Sequence, residues 1–157
     1  MAILPEEIIC VSSLPASLLC CSPKLTLLPS GVVIEPNMGW NVFEGFEPFS
    51  NRYRREPANY TPPVFAYKRK FGNSITGGYV FRGDKQSPFY GFYICGDYTS
   101  KRIWALKPDN RTLIVVKQIA TSPQGIASFA TDEQGDIFVV GYEGMIYKLD
   151  FKQSTLP

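Results

Sequence analysis

Two stretches decide the fold: Gly91-Phe92-Tyr93-Ile94-Cys95-Gly96-Asp97-Tyr98 and, further on, Gly135-Asp136-Ile137-Phe138-Val139-Val140-Gly141-Tyr142. Each is a short aromatic and β-branched run that closes on glycine and a turn residue, the composition of a strand entering a hairpin. A similar strand follows each of them, Arg102-Ile103-Trp104-Ala105-Leu106 after the first and Met145-Ile146-Tyr147-Lys148-Leu149 after the second. Ser74 to Phe81 and Ile126 to Thr131 stand in equivalent places before them. A repeat built from antiparallel meanders in this way is the signature of β-propeller blades. An ordinary β-sandwich whose strands are alike by accident is the competing reading.

Working outward, strands are expected at Thr76 to Phe81, Phe92 to Asp97, Arg102 to Lys107, Leu113 to Ile119, Ile126 to Thr131, Asp136 to Gly141 and Met145 to Phe151. Val64 to Tyr67 is extended ahead of them. The series divides as four strands and then three, and no helical period survives after Trp40. Gly77 and Gly78 precede no helix, so close packing of an inner strand explains them better than a phosphate loop. Trp40, Trp104 and the tyrosines read as blade-to-blade core in preference to platforms for a ligand.

Composition narrows the chemistry. The chain has 157 residues, a formal charge of +2, 45% hydrophobic and 14% aromatic residues, and 19% charged residues. That rules out disorder for most of its length and argues against nucleic acid as a partner. There is no histidine, so Ser-His-Asp and Cys-His catalysis and every histidine metal site are excluded. Cys10, Cys20, Cys21 and Cys95 form no C-x-x-C pair, and buried free thiols are favoured over a disulfide.

Residues 1–38 read differently and are expected to be an unassigned, poorly ordered segment whose removal leaves the rest stable. Glu6 and Glu7 precede the apolar run Ile8 to Cys21 and Pro15 interrupts it, which speaks against a signal peptide and against a membrane span. Pro5-Glu6-Glu7 is expected to open a short helix that Pro15 stops. Asn59-Tyr60-Thr61 and Asn110-Arg111-Thr112 fit the glycosylation pattern, with Pro62 following the first.

Ser74-Ile75-Thr76-Gly77-Gly78-Tyr79-Val80-Phe81-Arg82-Gly83 resembles the glucose/sorbosone dehydrogenase family, which holds the soluble pyrroloquinoline-quinone sugar dehydrogenases and relatives of the Hedgehog-interacting-protein type. The resemblance includes Gly39-Trp40 with Glu44-Gly45, Thr61-Pro62-Pro63-Val64, Gly91 to Tyr98 with Ser100 to Leu106, and Ser128 to Asp136. It runs from about Gly39 to Phe151 in the order of the family's C-terminal part, which makes 39–157 a C-terminal propeller fragment. Family members are six-bladed propellers, usually periplasmic or extracellular. The resemblance thus implies an all-β fold of two blades, four-stranded antiparallel meanders with the last incomplete, and roughly four blades missing on the N-terminal side. Open blades would expose edge strands and inter-blade faces, inviting self-association.

The family oxidises sugars with pyrroloquinoline quinone and calcium, using a histidine base in a part of the propeller not represented here. The family's Tyr-x-His-x-x-Gly reads Tyr67-Lys68-Arg69-Lys70-Phe71-Gly72, with Arg69 in place of histidine. Where soluble glucose dehydrogenases carry an arginine pair toward the quinone, Thr121 to Asp132 holds no Arg or Lys. The resemblance therefore implies no catalytic residue, no metal site and no cofactor for this chain alone, with a non-catalytic binding module that closes a propeller by oligomerising as the alternative.

Alternate turns of a meander share one edge. Lys68 to Asn73, Gly96 to Lys101, Thr121 to Gln124 and Tyr142 to Gly144 should therefore lie together on the face that carries the ligand in the family. Arg69, Asp97, Tyr98, Lys101, Arg102 and Gln124 are the candidate ligand-face residues, a mixed polar set suited to a sugar or another small ligand. Asp97 also fits an Asx turn, and Lys68-Arg69-Lys70 also fits a solvated loop. The opposite turns, Gly83-Asp84, Pro108-Asp109-Asn110 and Asp132 to Gly135, read as plain turn chemistry.

Overall fold

β-Branched and aromatic runs become strands throughout the computed structural model, which describes residues 8–11, 26–27, 33–34, 37, 39–52, 54, 60–109 and 112–153. In chain order the first strands are β1 (Ile8–Val11), β2 (Thr26–Leu27), β3 (Val33–Ile34), β4 (Phe43–Glu44), β5 (Glu47–Pro48) and β6 (Phe65–Lys68). They pair as β1 with β6, β2 with β3 and β4 with β5. Next come β7 (Ile75–Val80), β8 (Tyr93–Asp97), β9 (Arg102–Asp109) and β10 (Thr112–Thr121), a four-stranded antiparallel meander. A three-stranded meander follows, made of β11 (Ile126–Thr131), β12 (Ile137–Gly141) and β13 (Ile146–Lys148). The expected division into four strands and then three is present.

Among the described residues there is no α-helix, only the 3-10 turns Arg69–Phe71 and Phe151–Gln153. The short helix expected between Pro5 and Pro15 is a correction: Ile8–Val11 is a strand that sets Ile8 opposite Lys68 and Val11 opposite Phe65. Two isoleucines and a valine in four residues prefer the pleated geometry to a helical one. The strand expected at Met145 to Phe151 is shorter. Leu149 N–H still donates to the Ile137 carbonyl at 2.9 Å, after which the turn drops the Phe151 ring to 4.0 Å from Phe81 and 5.6 Å from Phe89.

Strand alternation gives the middle of the four-stranded sheet two buried faces, while β10 at its edge leaves Ile114 and Val116 exposed. Phe92, Ile94, Ile103 and Ala105 point toward Ile126, Phe129, Ile137 and Val139 of the second sheet, and Phe81, Phe89 and Phe151 close that core. Tyr93, Cys95, Trp104 and Leu106 point the other way and pack with Tyr67 and Phe65 of β6. Every residue of β8 is consequently buried. The uncovered face expected on the first blade is therefore not found at Trp104, which is only 6% exposed, because β6 brings the Tyr67 ring to 4.9 Å and the Phe65 ring to 6.2 Å.

The second sheet keeps one open face. Its register aligns Ser128, Val140 and Ile146 in one cross-strand row and Ala130, Phe138 and Lys148 in the next. Ile146 there is 65% exposed. Trp40, expected in the core, is 71% exposed and leans on Phe49 at 5.2 Å, because it precedes the small β4–β5 hairpin and lies outside both large sheets. Cys95 is a buried free thiol as expected, while Cys20, Cys21, Asn59 and the Asn110-Arg111 pair lie outside the described residues.

β7 carries one extra residue between the pairs Thr76 with Gly96 and Tyr79 with Ile94. This bulge falls on Gly77-Gly78, and the Gly78 N–H that it frees from the ladder donates to Tyr93 Oη at 3.0 Å. Close packing of the inner strand thus explains Gly78, whose side chain would strike the Ile94 backbone carbonyl, while Gly77 has room for one.

Candidate functional site

β8 delivers Asp97 to the edge where the four predicted turns meet. Its carboxylate is 0% exposed and accepts three hydrogen bonds: Ser100 N–H to Oδ1 at 2.6 Å, and Ser74 N–H at 2.7 Å and Tyr67 Oη at 2.8 Å, both to Oδ2. Burial alone would raise the acid's pKa, but these donors outweigh it and hold Asp97 below the ordinary carboxylate value. The same enclosure, with the carboxylate as neighbour, pushes the Tyr67 hydroxyl well above the ordinary phenol range. Gly72 has an ordinary extended backbone; a side chain there would strike the Asp97 carboxylate. The three donors lie on both sides of β8 in sequence, so Asp97 clamps the approach to β7 onto the turn that follows β8.

The turn beyond Asp97 faces the second sheet. Tyr98 N–H donates to the Ser74 carbonyl at 2.8 Å, and the Tyr98 ring meets Tyr142 edge-on at 5.5 Å with 86° between planes. Gly125 lies under Tyr98, so close that a Cβ would come within 2.9 Å of the ring. Lys101 adopts φ 60, accepts Ser122 N–H on its carbonyl at 2.8 Å, and donates from Nζ to the Pro123 carbonyl at 3.1 Å. Gln124 abuts Gly141, and its Oε1 is enclosed without a hydrogen-bond partner among the described residues. Asp97, Tyr98, Lys101 and Gln124 are thus gathered at the mouth between the sheets, where Tyr142 at 70% and Tyr98 at 38% are both exposed.

The remaining two candidates turn away. Arg102 is the first residue of β9, and alternation sends its guanidinium to the other side, where Cζ stands 5.7 Å from the Phe71 ring centroid. Arg69 pairs with Glu44 at 3.7 Å. Between them, a groove of about 680 Å³ is lined by Phe46, Phe65, Tyr67, Lys70, Phe71 and Arg102, among others. Of the six predicted residues, Asp97, Tyr98, Lys101 and Gln124 therefore gather at the mouth, Arg102 lines the groove, and Arg69 is paired with Glu44. Asp97 sits beneath the mouth with both oxygens occupied, so it positions the turn and does not face outward. Tyr67, Phe71 and Tyr142 were passed over in the sequence, although Tyr67 opens the Tyr-x-x-x-x-Gly stretch whose glycine meets the same carboxylate.

The opposite edge behaves as turn chemistry. Asp84 Oδ1 accepts Gln86 N–H at 2.8 Å, Asp132 Oδ1 accepts Asp136 N–H at 2.9 Å, and Lys148 is paired with Asp136. Among the described residues no three His, Cys, Asp or Glu side chains group to hold a metal ion, and no helix is long and apolar enough to cross a membrane.

No protein-family model matches the chain. A solved structure described as a glucose dehydrogenase is similar in fold, with a TM-score of 0.52 and 13% sequence identity, over 76% of this chain and 36% of that one. The chain thus corresponds to a little over a third of that protein. With its two antiparallel meanders, it is an all-β protein of β-propeller-like fold, similar to part of a glucose dehydrogenase.

Proposed function

We propose that the chain supplies two consecutive blades of a six-bladed, sugar dehydrogenase-like propeller and carries part of the ligand-side face without the chemistry of oxidation. One observation carries this reading: the first strands of the two meanders lie side by side, with Thr76 Oγ1 on β7 donating to the Ile126 carbonyl of β11 at 2.8 Å. Neighbouring propeller blades meet through their innermost strands in this manner.

Taking hydride from a sugar carbinol needs a base for the hydroxyl proton. The chain has no histidine, and the Asp97 oxygens are already occupied. The residues present do not fit the quinone and calcium of the family. Of the predicted cations, Lys101 remains at the mouth with Nζ on the Pro123 carbonyl, whereas Arg102 faces Phe71. The carboxylates of the four turns are Asp97, which is enclosed, and Glu143, which is exposed. Purified protein mixed with pyrroloquinoline quinone, calcium, glucose and a dye acceptor is expected to give no turnover. Turnover that disappears when the quinone is withheld overturns the proposal.

The open face of the second sheet favours a second reading, a binding module whose copies complete a ring. Val140, Ile146 and Phe138 form apolar rows there, and burying such surface contributes about 25 cal/mol per Å². Size exclusion with light scattering is expected to show a discrete trimer under this reading, since three pairs of blades make six. A monodisperse monomer at micromolar concentration removes it.

A further inference from the structure

We propose that the groove between β6, the Arg69–Phe71 turn and the start of β9 binds a small aromatic carboxylate. The inference depends on neither the number of blades nor sugar chemistry, and it uses the side of Arg102 that faces away from the second sheet. The groove's volume, about 680 Å³, lies within the roughly 300–1,000 Å³ usual for small-molecule sites.

The base of the groove is rigid. Trp104 and Tyr67 are 6% and 7% exposed, and their rings are packed 4.9 Å apart. The wall is open: Phe71 is 44% exposed and Phe46 56%. Two cations converge on the one Phe71 ring, Lys70 Nζ at 5.0 Å and Arg102 Cζ at 5.7 Å from its centroid. Like charges brought together repel, and an exposed cation–π contact returns only about 0.5–1 kcal/mol each. No carboxylate is among the described lining residues, and nearby Glu44 is paired with Arg69. The Lys70 and Arg102 cations at this ring suit an anion, and a guanidinium prefers a planar carboxylate that can accept two parallel N–H bonds. The exposed phenyl rings select a flat apolar body attached to it.

Naphthalene-2-carboxylate is the probe, titrated calorimetrically into the full chain beside its neutral analogue 2-naphthylmethanol. The acid is expected to bind with a Kd on the order of 100 μM and the alcohol at least about tenfold more weakly. Arg102→Gln and Lys70→Gln are each expected to weaken the acid about five- to tenfold while the circular dichroism spectrum stays unchanged. Lys85→Gln removes an equal charge from the exposed turn at the opposite edge and is expected to leave binding as it was. The proposal is overturned if the alcohol binds as tightly as the acid, if Lys85→Gln weakens binding as much as Arg102→Gln, or if no saturable heat appears at millimolar acid.

Discussion

Gly78→Ala is expected to destabilise the protein by at least about 4 kcal/mol, a large share of the stability of an ordinary domain. A methyl group at this bulge lands on the backbone carbonyl of Ile94 in the neighbouring strand, where no side-chain rotation relieves the overlap. Either the β7–β8 ladder parts or the bulge is lost, and losing the bulge also removes the Gly78 N–H from Tyr93 Oη. Gly77→Ala is the control: its methyl group would meet only the Tyr93 hydroxyl, at 3.5 Å, so a cost of within about 1 kcal/mol is expected. Urea unfolding followed by tryptophan fluorescence separates the two. Equal costs for both substitutions would mean that the bulge sits elsewhere.

Asp97→Ala is the second large effect, with an expected loss of about 3–5 kcal/mol, because it takes the acceptor from the buried Tyr67 hydroxyl and from the part-buried N–H groups of Ser74 and Ser100. Tyr67→Phe removes one donor and leaves the carboxylate two, so about 1–2 kcal/mol is expected. The pH dependence has a definite sign. The folded carboxylate titrates below its unfolded value of about 3.9, so its contribution is complete above that value and is lost as pH falls through the folded one. The stability gap between the natural chain and Asp97→Asn is therefore expected to be constant from neutral pH to about pH 5 and to close in stronger acid. A gap that widens on acidification would show that Asp97 is not held as the anion.

The strands were legible because each apolar run ends on a turn residue of definite chemistry, as Asp132 shows by capping Gln134 and Asp136 N–H in the hairpin that the sequence marked. Their packing partners were not. Nothing local in Phe65-Ala66-Tyr67-Lys68 says that its rings cover Trp104, since that contact is set by a strand far along the chain. The meeting of the four turns followed from meander geometry, which brought Tyr98, Lys101 and Gln124 to one mouth. The separation of Lys101 from Arg102 was implicit in strand alternation, yet it needed the point where β9 begins, and Lys101 at φ 60 is where the turn ends and the strand starts. Asp97 was read for ligand contact and for turn structure, and in the fold both its oxygens are engaged by Tyr67, Ser74 and Ser100.

Cys95 lies at the middle of β8, 0% exposed, and burial pushes its thiol pKa up to about 12. A thiol in that state offers almost no thiolate to an alkylating reagent or an oxidant at neutral pH. Covalent chemistry at this sulfur must wait for β8 to come free of the sheets on both its faces. The rate at which Cys95 is labelled is thereby a clock for opening of the double core, fixed by the frequency of that excursion and not by the reactivity of the thiol.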